Sequence, residues 1–314
     1  MSDAFQDPST VVLRREVLAQ GYDDRAIRDL VRQGVWERIR RGAYADKRLW
    51  DSLDAVGRHR LRARAVLRAA HPSAALSHSS AVAEREGAMW GVDLDDVHIT
   101  RTDGKAGRRE AGVAHHCGEL SESEVSLVNG LRVTSVSRSV VELSTLTDLE
   151  SCLVTGNWFL GQGQTSLDEL VATCERLRFW PGTLRKHLLT LLFDGRNMWP
   201  GEARTSYLLW RQHLPKPVPQ YAVHAAGLLL GIVDFAWPDL GVFLEFDGRI
   251  KYDELRRPGE SLEDVIRREK RREEQICTAL GWVCLRITWD DLARPVATAR
   301  RIRALLESRR PVAG

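Results

Sequence analysis

Apolar positions along this chain fall into short runs of helical or strand-like spacing, with no long continuous stripe. Near the start, Ser9 or Thr10 can cap a helix over residues 11–19 that Gly21 stops. Asp23 or Asp24 can cap a second helix over 25–33 that Gly34 stops. In the second helix Ile27, Leu30 and Val31 recur at helical spacing and give a buried stripe, which turns Arg25, Arg28 and Arg32 toward the other side. The next ten residues, from Val35 to Tyr44, read as a strand, a glycine turn at Gly42 and a returning strand.

The middle of the chain is mixed. The pattern predicts helices over 58–70, ending before Pro72, and around 79–86. Short strands are expected near 97–100, 113–116 and 131–134, and helical segments from 137 to about 192. The last third alternates more regularly, with a helix over 201–213, a strand over 219–224 and a hairpin over 228–247. A helix over 262–280 carries Leu262, Ile266, Ile276 and Leu280 as its stripe. Gly281 ends it, and a strand over 282–289 has Val283, Leu285 and Ile287 on one side.

Composition narrows the class. With 314 residues, 43% of them hydrophobic and 28% charged, the chain suits about two folded domains and excludes wholesale disorder. No apolar run reaches the roughly 18 residues that span a bilayer, and the N-terminus lacks the apolar core of a secretory signal. Five cysteines, at 117, 152, 174, 277 and 284, include no CxxC pair, so the expectation is a cytoplasmic protein with reduced thiols and no membrane partner. His71, His78, His98, His115 and His116 show no ligand-motif spacing and are read as surface or core histidines. Ser77-His78-Ser79 lacks, on the sequence, the strand–turn–helix setting of a nucleophilic serine.

Net charge is only +3, yet it is unevenly placed. Between Arg25 and Arg48 there are eight basic residues against three acidic ones. Helix, helix, basic hairpin is the order of a winged helix-turn-helix, so residues 1–50 are expected to bind DNA. Arg25, Arg28 and Arg32 would lie on the reading helix and Arg38, Arg40 and Arg41 on the wing. The alternative is a small helical domain with a solvated basic face.

The hairpin 228–247 carries the second signal. If Trp237 pairs with Val242 across Pro238-Asp239-Leu240-Gly241, then Asp234 lies opposite Glu245. Val233, Phe235, Trp237, Val242, Leu244 and Phe246 then share an apolar face, and Asp234, Glu245 and Asp247 share the other. Directly opposed side chains stand roughly 5 Å apart, and like charges there oppose sheet formation. A hard cation, Mg²⁺ or Mn²⁺, would cancel the repulsion. The competing explanation is a salt-bridged acidic face answered by arginines of the following helix.

Two resemblances follow from these motifs. Gly21-Tyr22, Leu30-Val31-Arg32-Gln33-Gly34 and Arg40-Arg41-Gly42-Ala43-Tyr44 resemble the winged helix of AbiEi-type antitoxins of type IV toxin–antitoxin systems. Leu76-Ser77-His78-Ser79-Ser80-Ala81, Val97-His98-Ile99-Thr100-Arg101 and Leu131-Arg132-Val133-Thr134-Ser135 are similar to the region after it, here 51–199. That resemblance implies binding at the protein's own promoter and a nucleotidyltransferase toxin as partner. Glu202, Gln220, Asp234, Glu245-Phe246-Asp247-Gly248, Lys251-Tyr252, Glu269-Lys270-Arg271-Arg272 and the six residues from Gly281 to Arg286 resemble PD-(D/E)XK nucleases, in the branch related to very-short-patch-repair endonucleases. It covers 200–294 and leaves 295–314 as a helix and tail.

Carried over, Asp234 and Glu245 match the metal-binding acids and Glu202 the helix glutamate. The lysine expected two residues after the Glu is replaced by Asp247, so Lys251 or Lys270 would have to reach in. The resemblances together imply an α+β multidomain chain: winged helix, mixed α/β middle, and an αβββαβ nuclease-like core. Its activity would be Mg²⁺-dependent hydrolysis of DNA phosphodiesters, with Asp247 completing the metal shell and Lys251 favouring hydroxide. Arg267, Lys270 and Arg271 would hold the DNA backbone. A homodimer is among the expectations, because nucleases of this class that cut both strands often dimerise. The alternative is a non-catalytic antitoxin or repressor that keeps the nuclease fold for binding DNA or toxin.

Overall fold

Val11–Leu13 is a strand, β1, where a helix was expected. Two adjacent valines favour extended backbone, and Val11 and Leu13 are buried in alternation. Ser9 and Thr10, the expected caps, lie outside the described residues. The chain is a computed structural model that describes residues 11–104, 107–180, 186–248 and 261–310. The helix α1 begins only at Arg14 (Arg14–Ala19), where the Leu13 N–H donates to Glu16 Oε2 at 3.0 Å.

The helix α2 (Asp24–Arg32) starts at Asp23, whose carboxylate accepts the Ala26 N–H at 2.8 Å. Arg14 forks onto Asp24 with contacts of 2.7 and 2.6 Å, which fixes α1 against α2. The hairpin follows as β2 (Trp36–Arg40) and β3 (Ala43–Asp46), turned by Gly42 at φ 75°. The sheet order is β1-β3-β2, so the misread strand completes the sheet of a winged-helix arrangement. Val11, Leu13, Ile39, Ala43 and Ala45 bury together with Leu61 and Ala65.

By compactness the chain divides into residues 1–159 with 163–191, and residues 160–162 with 192–314. After the wing, the first unit continues through α3 (Lys47–Ser52), α4 (Ala55–Ala69), β4 (Ala75–Leu76) and α5 (His78–Glu84). Next come β5 (Val97–Arg101), β6 (Arg108–Glu110), β7 (Val113–Cys117), β8 (Val125–Val128) and β9 (Leu131–Thr134). The helices α6 (Val136–Leu143), α7 (Leu149–Gly161), α8 (Leu167–Arg176) and α9 (Lys186–Leu192) close the run. The six-stranded sheet has the order β6-β7-β5-β4-β9-β8 and is mixed, with β5/β7 and β4/β9 parallel.

Ser77-His78-Ser79 does sit between a strand and a helix, contrary to the sequence reading. The strand β4 has only two residues and gives no alternation to read. The residue in the left-handed region is His78, at φ 50°, and not a serine.

The second unit is built from α10 (Pro200–Arg211), β10 (Val218–Ala225), β11 (Leu228–Trp237) and β12 (Val242–Phe246). It is completed by α11 (Leu262–Leu280), β13 (Val283–Ile287), α12 (Trp289–Leu292) and α13 (Pro295–Ser308). The sheet order is β10-β11-β12-β13; the first two pairings are antiparallel and β12/β13 is parallel. Trp237 pairs with Val242, as the hairpin reading required.

Both faces of this hairpin are buried, which the alternation did not anticipate. Phe235, Trp237, Val242, Leu244 and Phe246 pack in one cluster with Leu208, Leu209, Ile302 and Leu306. Val233 leaves that face and joins Val223, Ala236, Phe243 and Ile276 on the other. The acids therefore occupy one end of a covered face and not a solvated one. Val265, outside the predicted stripe of α11, is fully buried, and the Leu262 and Ile266 side chains of that stripe lie outside the described residues.

Candidate functional site

At that end of the sheet a cleft of about 340 Å³ opens, lined by Glu202, Gln220, Asp234, Glu245, Glu269 and Arg272 among others. Its position follows from local breaks in regularity. The β10–β11 register runs Pro219↔Phe235 and Tyr221↔Val233 and passes over Gln220 and Asp234 between them. Gln220 is in the left-handed region at φ 48°, a conformation that costs an ordinary residue on the order of 1 kcal/mol. The interrupted ladder turns both side chains to the cleft. Gly201 lets α10 close against β12, because a Cβ there would overlap the Phe246 ring. That contact holds Glu202, in the first turn of α10 and 1% exposed, at the cleft wall.

The acids are held in defined ways. Asp234 Oδ2 accepts the Phe246 backbone N–H at 2.8 Å, so this carboxylate ties β11 to the end of β12. Glu245 Oε1 accepts from Arg272 at 2.8 Å, and the same guanidinium reaches Glu269 at 2.7 Å and the Ile232 carbonyl at 3.0 Å. Gly231 makes room for it, since a Cβ there would stand 2.6 Å from Arg272 Cδ. Arg286, also on the cleft, is bound by Glu273 at 2.6 Å and stands 3.9 Å from Asp247. Burial pulls the Arg286 guanidinium down, but hydrogen bonding to Glu273 outweighs it and raises it above the usual arginine value.

Three of the predicted residues, Glu202, Asp234 and Glu245, thus line one cleft. Asp247 is half-buried just past β12 and is not among the lining residues. Lys251 lies outside the described residues. Arg267, Lys270 and Arg271 are exposed on α11. The helix residues that line the cleft are Glu269 and Arg272, members of the Glu269-Lys270-Arg271-Arg272 stretch that carries the nuclease resemblance but not among the residues it expected at the site.

The basic surface is in the first unit. Arg25, Arg28 and Arg32 are exposed on α2, Arg32 pairing with Asp29 at 2.8 Å; Arg38 and Arg41 are exposed on the hairpin. Arg40 is half-buried, and burial lowers its pKa. A further convergence was not read from the sequence: His78, His98 and His116 bring ring nitrogens within 4.8 Å of one another. Twenty and eighteen residues separate them along the chain, so no local motif announced them.

The family model described as "Transcriptional regulator, AbiEi antitoxin" matches residues 9–45, which span the two short helices and the wing. Two proteins of Mycobacterium tuberculosis, the uncharacterized proteins MT2308 and Rv2248, are each 27% identical over 236 residues, or 74% of this chain and 83% of theirs. Among solved structures, that of the RV2827C protein from Mycobacterium tuberculosis aligns with a TM-score of 0.39 and 16% identity, over 71% of this chain and 84% of that one. No helix among the described residues is long and apolar enough to cross a membrane.

Proposed function

We propose that the chain is a DNA-binding regulator of the antitoxin type that reads DNA with α2 and grips the backbone with the β2–β3 wing. The observation that carries this reading is the exposed arginine set Arg25, Arg28, Arg38 and Arg41 on the winged-helix arrangement that the antitoxin regulator model matches. The substrate of recognition is the promoter of its own gene, and a cognate toxin, a nucleotidyltransferase on the earlier resemblance, is the protein partner. The test is fluorescence anisotropy with that promoter DNA across a salt series. The triple variant Arg28→Ala/Arg38→Ala/Arg41→Ala should bind about 100-fold more weakly, and its salt slope should fall by about 2–3. Equal affinity in wild type and variant would sink the reading.

A second reading rests on the cleft. The order α10, three strands, α11, β13 supports a nuclease-like core, and Glu202, Asp234 and Glu245 line one concavity of it. Their oxygen donors fit Mg²⁺, which would polarise a scissile phosphodiester and acidify a bound water. Asp234 and Glu245 would hold the ion and Glu202 would orient the water. Glu245, however, is already neutralised by Arg272, which is the salt-bridge explanation of the acidic face. That pairing favours the regulator over the enzyme. Calorimetry with Mg²⁺ and Mn²⁺ beside a supercoiled-plasmid assay decides it: the nuclease reading expects uptake and nicking that Asp234→Ala abolishes. No uptake by the wild type would remove it.

A further inference from the structure

His78, at the strained start of α5, His98 on β5 and His116 on β7 meet over one face of the six-stranded sheet. Parallel pairing sets the two strands so that Thr100 stands beside His116, which brings His98 diagonally next to it. His98 Nδ1 and His116 Nε2 are 2.8 Å apart, and the rings of His78 and His116 stack with centroids 3.8 Å apart. Among the described residues, these three form the one group of His, Cys, Asp or Glu whose ligand atoms all lie within 4.8 Å of one another. His78 and His98 are buried and His116 half-buried.

From this geometry we infer that the first unit binds one divalent transition-metal ion, Zn²⁺ by preference, through His78, His98 and His116. Three imidazoles suit a borderline ion of this kind and leave a fourth position for water. The second layer is of the expected type as well. His78 Nδ1 lies 3.0 Å from Ser77 Oγ and 3.7 Å from the buried Glu142 Oε2, which leaves Nε2 as its ligand nitrogen. His98 is held from behind, where its backbone N–H donates to Ser80 Oγ at 2.9 Å, and the same hydroxyl meets His59 Nε2 at 2.9 Å.

An imidazole ligates through an unprotonated nitrogen, so each ring must be neutral to bind. Without an ion, the 2.8 Å contact is an N–H···N hydrogen bond. With one, the shared proton moves to the other nitrogen of its ring, the tautomer changes, and no charge is left on either imidazole. Nitrogens on one tetrahedral Zn²⁺ stand about 3.3 Å apart, so the pair opens by about half an ångström. His78 holds a φ of 50° at this point, a strained backbone of the kind that gathers at binding sites.

The test uses the full chain, freed of metal by a chelator and dialysed, with Mg²⁺ in excess to occupy hard oxygen sites. One equivalent of Zn²⁺ per chain by calorimetry, a rise in melting temperature on Zn²⁺ addition, and intense tetrahedral d–d bands with Co²⁺ are expected. His98→Ala and His116→Ala should weaken Zn²⁺ at least about 10-fold while far-UV circular dichroism stays unchanged. His224→Ala, an exposed histidine of the second unit, should bind as the wild type does. No uptake by the folded wild type overturns the inference, as does uptake that His116→Ala leaves intact. The Co²⁺ spectrum of the wild type needs no variant: weak octahedral bands overturn the site even if neither histidine variant folds.

Discussion

In the first unit, carboxylates and guanidinium groups meet inside the protein: Arg64 with Glu84 at 2.6 Å, and Arg138 with Glu124 and Glu142 at 2.8 and 2.7 Å. In the second, Arg272 meets Glu245 at 2.8 Å on the wall of a cleft. The chemistry of the pairs is the same, and the surroundings differ. Arg64 and Glu84 are wholly enclosed, and Arg138 stacks on Trp180 at 4.3 Å, so these groups tie α4 to α5 and α6 to the chain before β8. The side chain of Arg272 keeps 25% of its surface open beside Gln220, Asp234 and Glu202. Burial and charge alone therefore mark structure as readily as function. What distinguishes the cleft is that its charged atoms border a space a phosphate or an ion could enter.

The comparison is sharpest when each arginine is removed. Arg138→Ala leaves Glu142 enclosed without its cation and Glu124 with Arg176 alone, a change that costs about 3 kcal/mol or more. For a unit of this size that is a fall of about 10 °C in the melting temperature, readable by calorimetry of the full chain. Arg272→Ala should cost far less, about 1 kcal/mol, because water can reach Glu245. The same variant should bind Mg²⁺ more tightly than the wild type if the ion and Arg272 compete for that carboxylate. Equal destabilisation by the two variants would erase the distinction between internal pair and cleft pair.

The hairpin 228–247 was legible because ten alternating residues and a four-residue turn leave one sensible register, and the structure has it. The helix Leu262–Leu280 was equally legible from its apolar spacing and from Gly281, which ends it; its capping serine, Ser261, went unread. The failures have physical causes. Val11–Leu13 runs directly into a helix, and three residues are too few to separate a period of 2 from one of 3.6. The strands β4, β6 and β8, of two to four residues, exist only through their neighbours in the sheet. Of the site, Asp234, Glu245 and Glu202 could be read from pattern and resemblance. Arg272 was foreseen only as one of several helix arginines that could answer the acidic face, because which of them reaches Glu245 depends on the bare backbone at Gly231. The three histidines come from two strands and a turn that only the tertiary fold brings together.

A smaller effect separates Glu124 from its neighbour. Burial alone would raise the pKa of Glu124, but the Ser121 N–H, Arg138 and Arg176 outweigh it and hold the carboxyl down to about 2. A depressed folded-state pKa adds stability that is fully present above the unfolded value of about 4.3 and is lost as the pH falls from there toward 2. Glu142 runs the other way: burial raises its pKa above the ordinary value, so its contribution is full below about 4.3 and is lost as the pH rises from there through its raised folded-state pKa. The two contributions therefore act in adjacent windows, that of Glu124 below about pH 4.3 and that of Glu142 above it. Glu124→Gln removes the acid-labile one. The variant should be less stable than the wild type at neutral pH, and its urea midpoint should fall less between about pH 4.3 and 3. A wild type whose midpoint is flat across that window, or a variant as steep as the wild type, would place the acid sensitivity of this chain elsewhere.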